Sequence, residues 1–265
     1  MAHIDPGNIT CDIQMQTRLA RLCGHHLPSV VVCGAYSHGK SSLLNSCMAE
    51  DIFEVSDRVE TRAVQEHVAD GICWIDTPGL YADINGNHDQ QALAALDRAD
   101  HLLLVHRVST GELDAQEQSG FSEILAAFPG RCTLVLTGLD EVDESSLAKA
   151  IDRVGTQLPE ARVLSVSANR YRKGCLEQKQ TLINRSNMPA LLRHIKERLA
   201  FAIAARPEEK ARLIAALDRE ASQKIERCTA LQRRSAKQIA RNYLDYELEI
   251  LRFQSRLLRK FVNNL

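Results

Sequence analysis

Eight consecutive residues, Gly34-Ala35-Tyr36-Ser37-His38-Gly39-Lys40-Ser41, satisfy the pattern G-x-x-x-x-G-K-[ST] at every defined position. A loop of this kind works only between a strand and a helix, because successive backbone N–H groups and the positive end of the helix must face the same anion. Both neighbours are legible. Ser29-Val30-Val31-Val32-Cys33 reads as a short buried strand, and Ser42-Leu43-Leu44-Asn45 opens a helix. The pattern implies a nucleoside triphosphate gripped by Gly34, Ser37, His38, Gly39 and Ser42, with Lys40 on the β- and γ-phosphates and the Ser41 hydroxyl on Mg²⁺. The loop alone does not separate a GTPase from an ATPase or a kinase.

Three downstream segments bear on that choice. The apolar strand Ile72-Cys73-Trp74-Ile75 runs into Asp76-Thr77-Pro78-Gly79, a D-x-x-G segment in which Asp76 can hold a water on Mg²⁺ and the Gly79 N–H can reach a γ-phosphate. Thr61 lies between the first helix and that strand, placed either as the switch threonine that meets Mg²⁺ when the γ-phosphate is present or as an ordinary strand-edge residue. The strand Cys132–Leu136 ends in Thr137-Gly138-Leu139-Asp140, where Asp140 can accept from the N1–H and N2 amino groups of guanine. A further strand, Ala161–Val166, leads to a Ser167-Ala168-Asn169 loop suited to the base oxygen.

Taken in this order, the segments resemble a P-loop GTPase of the Era-like and dynamin-like branch, most closely the small bacterial dynamin-like G domains, over roughly residues 28 to 205. The resemblance implies GTP and GDP as ligands, Mg²⁺ held by Ser41, Thr61 and, through water, Asp76, and catalysis by Ser37, Lys40, Thr61 and Gly79. Two positions depart from it. Gly138 stands where the family carries a lysine over the guanine plane, so a lysine restored there is expected to tighten guanine nucleotides. Leu80 follows Gly79 where Ras-like enzymes place a water-orienting glutamine. In this branch a polar residue at the position of Ser37 helps seat K⁺ or Na⁺, and G domains pair face to face. Ser37 is otherwise a small residue tolerated by a tight loop, and Arg62 serves either a partner site or a surface ion pair.

Strand and helix signals alternate from residue 28 to 205, which implies an α/β fold with a mostly parallel sheet, helices on both faces and phosphates at the carboxyl ends of the strands. The expected strands include a polar one near 63–68 and His101–Val105, and the expected helices lie near 90–98, 115–128, 146–157 and 189–204. Residues 1–27 carry an amphipathic helix expected to join the helical part. Residues 206–265 hold neither glycine nor proline after Pro207, and Ile239, Tyr243, Tyr246, Ile250, Phe253 and Leu257 step by 4, 3, 4, 3 and 4, a heptad seam. As one helix this stretch would reach about 90 Å, so it is expected to form a helical stalk or bundle, an intermolecular coiled coil, or a single helix lying along its own G domain.

Charge divides along the same line: 14 Lys and Arg against 8 Asp and Glu from Arg206 onward, and 19 against 26 before it. A basic tail on an acidic domain suits an anionic membrane surface, although such a run is also the ordinary solvated face of a helix. The eight cysteines lack a C-x-x-C pair and read as reduced core residues; the nine histidines show no metal spacing, with His25-His26 read as exposed loop residues and His38 as a variable loop position, not as ligands. Without an apolar run of membrane length or a leader pattern, the expected location is cytoplasmic or peripheral to a membrane. The functional expectation is a self-associating GTP-hydrolysing switch. The alternatives are an Era-like factor whose partner is the ribosome and a non-hydrolysing module that uses nucleotide to set its shape.

Overall fold

A computed structural model describes residues 6–24, 26–53, 64–77 and 95–262, with the side chains of 6–14 and 256–262 outside that description. The chain divides into two compact units, Met1–Lys210 and Ala211–Leu265. In the first, helix α1 (Pro6–Cys23) precedes β1 (Ser29–Cys33), α2 (Lys40–Met48), the hairpin β2 (Gln65–Ala69) and β3 (Ile72–Asp76), and β4 (His101–Arg107). Then come α3 (Ala115–Ala127), β5 (Cys132–Thr137), α4 (Glu144–Gln157), β6 (Val163–Ser165), α5 (Ala168–Leu176), α6 (Gln180–Arg185) and the start of α7 (Met188–Val262).

The six strands form one sheet in the order β2-β3-β1-β4-β5-β6, with β2 antiparallel and every other pairing parallel. The fold class read from the sequence is therefore present. Strand side chains alternate between two faces, and the sheet is covered on both. Val31, Cys33, Leu102, Leu104, Leu134 and Leu136 pack with Phe121 of α3 and Val154 of α4. Val30, Val32, Leu103, Val105 and Val135 pack with Leu43 and Leu44 of α2 and with Met188, Leu191, Ile195 and Leu199 of α7. Burial on both faces explains why β1 and β4 read as unbroken apolar runs, whereas the edge strand β2 has the polar alternation Gln65-Glu66-His67.

Helices α5 and α6 occupy a stretch for which the sequence reading names no helix or strand. The reading near 90–98 falls mostly outside the described residues; Ala95 and Leu96 are helical and buried. Helix α7 starts where expected but does not stop at 204: it runs through Pro207, which removes one internal hydrogen bond, to Val262. In the second unit the seam residues Ile239, Tyr243, Tyr246, Ile250 and Phe253 are all exposed, and the Leu257 side chain lies outside the description. Among the described residues no helix is long and apolar enough to cross a membrane. Cys33 is buried and Cys47, Cys73 and Cys132 are half-buried, but Cys23, Cys175 and Cys228 are exposed, which corrects the reading of the cysteines as core residues.

A buried charge cluster ties α1 and α7 to the sheet. Asp100, 1% exposed, accepts from Ser29 N at 3.0 Å, Arg206 Nη2 at 2.7 Å and Arg18 Nη2 at 3.2 Å. Arg18 also donates to Glu209 at 2.9 Å, and Arg131 reaches the same carboxylate. Burial alone would raise the Asp100 carboxyl, but Arg206 and Arg18 hold it below its ordinary range, and Arg18 and Arg131 do the same to Glu209. A carboxylate depressed in the fold contributes stability above its unfolded pKa and loses that contribution as pH falls through the folded one. Asp100→Asn leaves the buried Arg18 and the half-buried Arg206 each short of a partner and is expected to cost about 3 kcal/mol near neutral pH. Urea denaturation should show wild type and variant converging on acidification; parallel pH profiles would contradict the assignment.

Candidate functional site

The loop after β1 leaves the sheet pressed against β4. A Cβ on Gly34 would stand 2.1 Å from the Val105 carbonyl oxygen, so only glycine allows this exit. Ser37 has φ 60°, and Gly39, with φ 83°, starts α2. Thr137 at the end of β5 donates its hydroxyl to the His38 carbonyl at 2.7 Å, and Arg107 at the end of β4 donates to the Ser37 carbonyl at 3.2 Å. Three adjacent parallel strands thus fix one loop.

Lys40 is buried, and its ammonium donates to the Gly34 and Ala35 carbonyls at 3.1 and 2.9 Å. Burial pushes its pKa down, opposed by the charge of Asp76. The Ser41 hydroxyl donates to Asp76 Oδ2 at 2.6 Å, while Asp76 Oδ1 is buried without a hydrogen-bond partner. Burial raises the Asp76 carboxyl, against the hydrogen bond from Ser41 and the charge of Lys40. A hydroxyl from the first turn of α2 and a carboxylate at the end of β3, with one carboxylate oxygen unsatisfied, are a donor set suited to a hard, oxygen-seeking cation such as Mg²⁺. Thr77 is occupied elsewhere, donating to the Val32 carbonyl at 2.8 Å.

A second cleft adjoins this one, lined by Gly39, Ser42, Thr137, Asp140, Ala168 and Asn169 together with Arg107, Gly138 and Glu141. Most of the residues expected to hold the base therefore come together. Ser167 stands just behind them: its hydroxyl donates to Asp140 Oδ1 and accepts from Arg170 N at 2.9 Å, capping α5. The Ser167-Ala168-Asn169 segment is thus a helix start rather than the open loop expected. Thr61 and Gly79, with Arg62 and Leu80, lie outside the described residues.

Arg107 and Glu141 are the residues that sequence reading missed. Arg107 donates to both Glu141 oxygens, at 2.9 and 2.5 Å, and Ser109 adds a bond at 2.7 Å. These contacts, Arg107 foremost, hold the Glu141 carboxyl below its ordinary range against the rise from burial. Gly138 has φ 75°, and a Cβ there would lie 3.0 Å from the Glu141 carboxyl carbon. A lysine at Gly138 would be strained and would crowd that pair, which revises the expectation that it tightens binding. Arg107 is recognised only through the register, which sets it beside Thr137 across β4 and β5. His38 is likewise not the free loop position expected: it is buried, with Nδ1 3.2 Å from Glu117 Oε1.

Comparison with known proteins gives the site a context. Residues 29–159 match the family described as 50S ribosome-binding GTPase. An uncharacterised protein of Acinetobacter baylyi is 38% identical over 201 residues, 74% of this chain and 48% of the relative. GTPase Era of Geobacter sp. (strain M21) is 26% identical over 148 residues, 52% of this chain and 49% of the relative. The chain therefore spans about half the length of the curated relatives it matches. Among solved structures, an oligomerised bacterial dynamin pair described as sensing and tethering membranes superposes with a TM-score of 0.54 at 16% identity, covering 96% of this chain and 49% of that one.

Gly34→Ala is expected to push the loop off β4, costing about 2 kcal/mol in a denaturant titration. Lys40→Ala, which removes a buried charge, should spare the fold and abolish tight triphosphate binding by calorimetry. Unchanged affinity in Lys40→Ala would remove the loop from the site.

Proposed function

We propose that the chain, whose residues 29–159 match the 50S ribosome-binding GTPase family, binds and hydrolyses GTP as a switch and works by self-association, in the manner of the dynamin-like branch. One observation carries the first part. Lys40, Ser41 and the unsatisfied Asp76 oxygen lie at the carboxyl edge of the sheet, beside a cleft that holds Asp140. That arrangement seats phosphates at one end and a base at the other.

In this reading Lys40 exchanges the Gly34 and Ala35 carbonyls for phosphate oxygens, and the N–H groups opening α2 face the same oxygens with the helix dipole behind them. Ser41 and Asp76, the latter through water, would hold Mg²⁺, whose charge offsets that on the phosphates. Thr61 and Gly79 are assigned to the γ-phosphate, which a water attacks in line. With Leu80 in place of a glutamine, a second copy supplies the missing order, and Ser37 helps seat K⁺ or Na⁺. Asp140 reads the guanine edge, with the backbone of Ser167, Ala168 and Asn169 facing the base oxygen. Arg107 takes the place of the missing lysine, bracing the loop through Ser37 and closing the cleft with Glu141.

Likeness to the dynamin fold extends along nearly the whole chain, whereas the Era relative matches about half of it, which supports the dynamin-like reading. The exposed seam on α7 is the assigned self-association surface, and the basic tail the contact with an anionic membrane from the cytoplasm. The matched family's description and the Era relative favour a second reading, in which the partner is the ribosome.

Asp140→Asn should weaken GTP and leave ATP nearly untouched. Arg107→Ala should weaken GDP about tenfold, equal to ~1.4 kcal/mol, and Gly138→Lys should fail to restore it. Thr61→Ala should slow GTP hydrolysis while sparing GDP binding. Equal losses for GTP and ATP would contradict the guanine assignment. Turnover per molecule should rise with protein concentration and fall when the chain ends at Lys210, a boundary that keeps the Arg206 and Glu209 contacts. The full chain should sediment with phosphatidylserine liposomes in a salt-sensitive way. Sedimentation with ribosomal subunits instead would favour the second reading, and concentration-independent turnover would remove self-association from the mechanism.

A further inference from the structure

Three buried side chains converge from the phosphate loop, β4 and α3. They are His38 of the loop, His106 of β4 and Glu117 in the first turn of α3, exposed by 8%, 1% and 4%. One ligand atom from each lies within 4.8 Å of the other two. His38 Nδ1 is 3.2 Å from Glu117 Oε1, and His106 Nδ1 is 3.2 Å from Glu117 Oε2. The two imidazole rings meet edge to face with centroids 5.0 Å apart.

The surrounding bonds fix which atoms carry lone pairs. His106 Nε2 lies 3.1 Å from the Gly111 carbonyl oxygen, which can only accept, so Nε2 is the donor. The nearby Thr110 hydroxyl cannot supply that proton, because it donates to the Arg107 carbonyl at 2.6 Å. In neutral His106 the proton is therefore on Nε2, and Nδ1 presents a lone pair to a carboxylate. His38 Nδ1, although close to the same carboxylate, makes no hydrogen bond. Two ring nitrogens thus face one buried carboxylate, a set that a proton on an imidazole or a metal cation between them would balance. Anchoring the far nitrogen of a histidine on a backbone carbonyl is also how metal-ligating histidines are oriented.

We propose that His38, His106 and Glu117 form a binding site for a divalent transition metal, zinc first. Two imidazole nitrogens and one carboxylate oxygen are borderline ligands that suit Zn²⁺ better than Mg²⁺ or Ca²⁺, and three protein ligands leave one position for water. Occupancy would fasten the phosphate loop, through the residue between Ser37 and Gly39, to β4 and α3. The site is separate from the Ser41 and Asp76 pair and does not depend on the GTPase reading.

The test is the zinc content of the full chain after incubation with zinc chloride and gel filtration, with exposed thiols blocked beforehand so that Cys23, Cys175 and Cys228 cannot contribute. Wild type is expected to retain about one zinc per chain, and Glu117→Gln and His106→Gln to lose most of it, while Cys175→Ser keeps it. Zinc should raise the melting temperature of wild type and leave the Glu117→Gln variant unmoved, since only a ligand bound to the native state stabilises it. In case the variants fold poorly, wild type loaded with cobalt(II) gives an independent reading: ligand-field bands without thiolate charge transfer. Failure to retain zinc, retention equal in wild type and variants, or a thiolate signature from cobalt would each overturn the proposal. None of these readouts uses a nucleotide, so their failure leaves the GTPase reading standing.

Discussion

The exit of the phosphate loop from β1 against β4 is the constraint on which the site depends. Gly34 passes so close to the Val105 carbonyl that the loop has no room to choose another path. Its position is then set by neighbouring strand ends, with Thr137 of β5 on the His38 carbonyl and Arg107 of β4 on the Ser37 carbonyl. The parallel register of β1, β4 and β5 therefore does more than build a core. It aims the start of α2, and with it Lys40 and Ser41, at the carboxyl edge where β3 delivers Asp76.

Burial makes these groups expensive and consequential together. Lys40 and Asp76 each resist their charged form because water is excluded, and each partly relieves the other. In the proposed reading a phosphate and a cation would replace the bonds that Lys40 makes to the loop carbonyls and Ser41 makes to Asp76, using side chains already gathered at one edge of the sheet. The same economy operates in the Asp100 cluster, where burial is offset by guanidinium groups from α1 and α7, and structure rather than chemistry is the result.

Much of this was legible in the sequence because the decisive residues are local. The octapeptide, the D-T-P-G and T-G-L-D segments and the apolar strands before them predict the sheet, the loop and the placing of Ser41, Asp76 and Asp140. What escaped depends on contacts between distant elements. Arg107 looks like the polar end of a strand until the register sets it beside Thr137 and Glu141. Glu117 looks like an ordinary acidic residue in a first helical turn, yet it turns inward to His38 and His106. Helices α5 and α6, nine and six residues long, are too short for a helical period to be read from the sequence, and the continuation of α7 through Pro207 defeats a rule that usually ends a helix.

The central claim, a guanine-nucleotide site at the carboxyl edge of this sheet, is tested most directly by equilibrium titration of the unmodified chain with GTP, GDP and ATP in the presence of magnesium. The account predicts that both guanine nucleotides bind and that ATP binds at least about tenfold more weakly, a gap of ~1.4 kcal/mol. ATP binding as tightly as GTP, or no binding by any of the three, would contradict it.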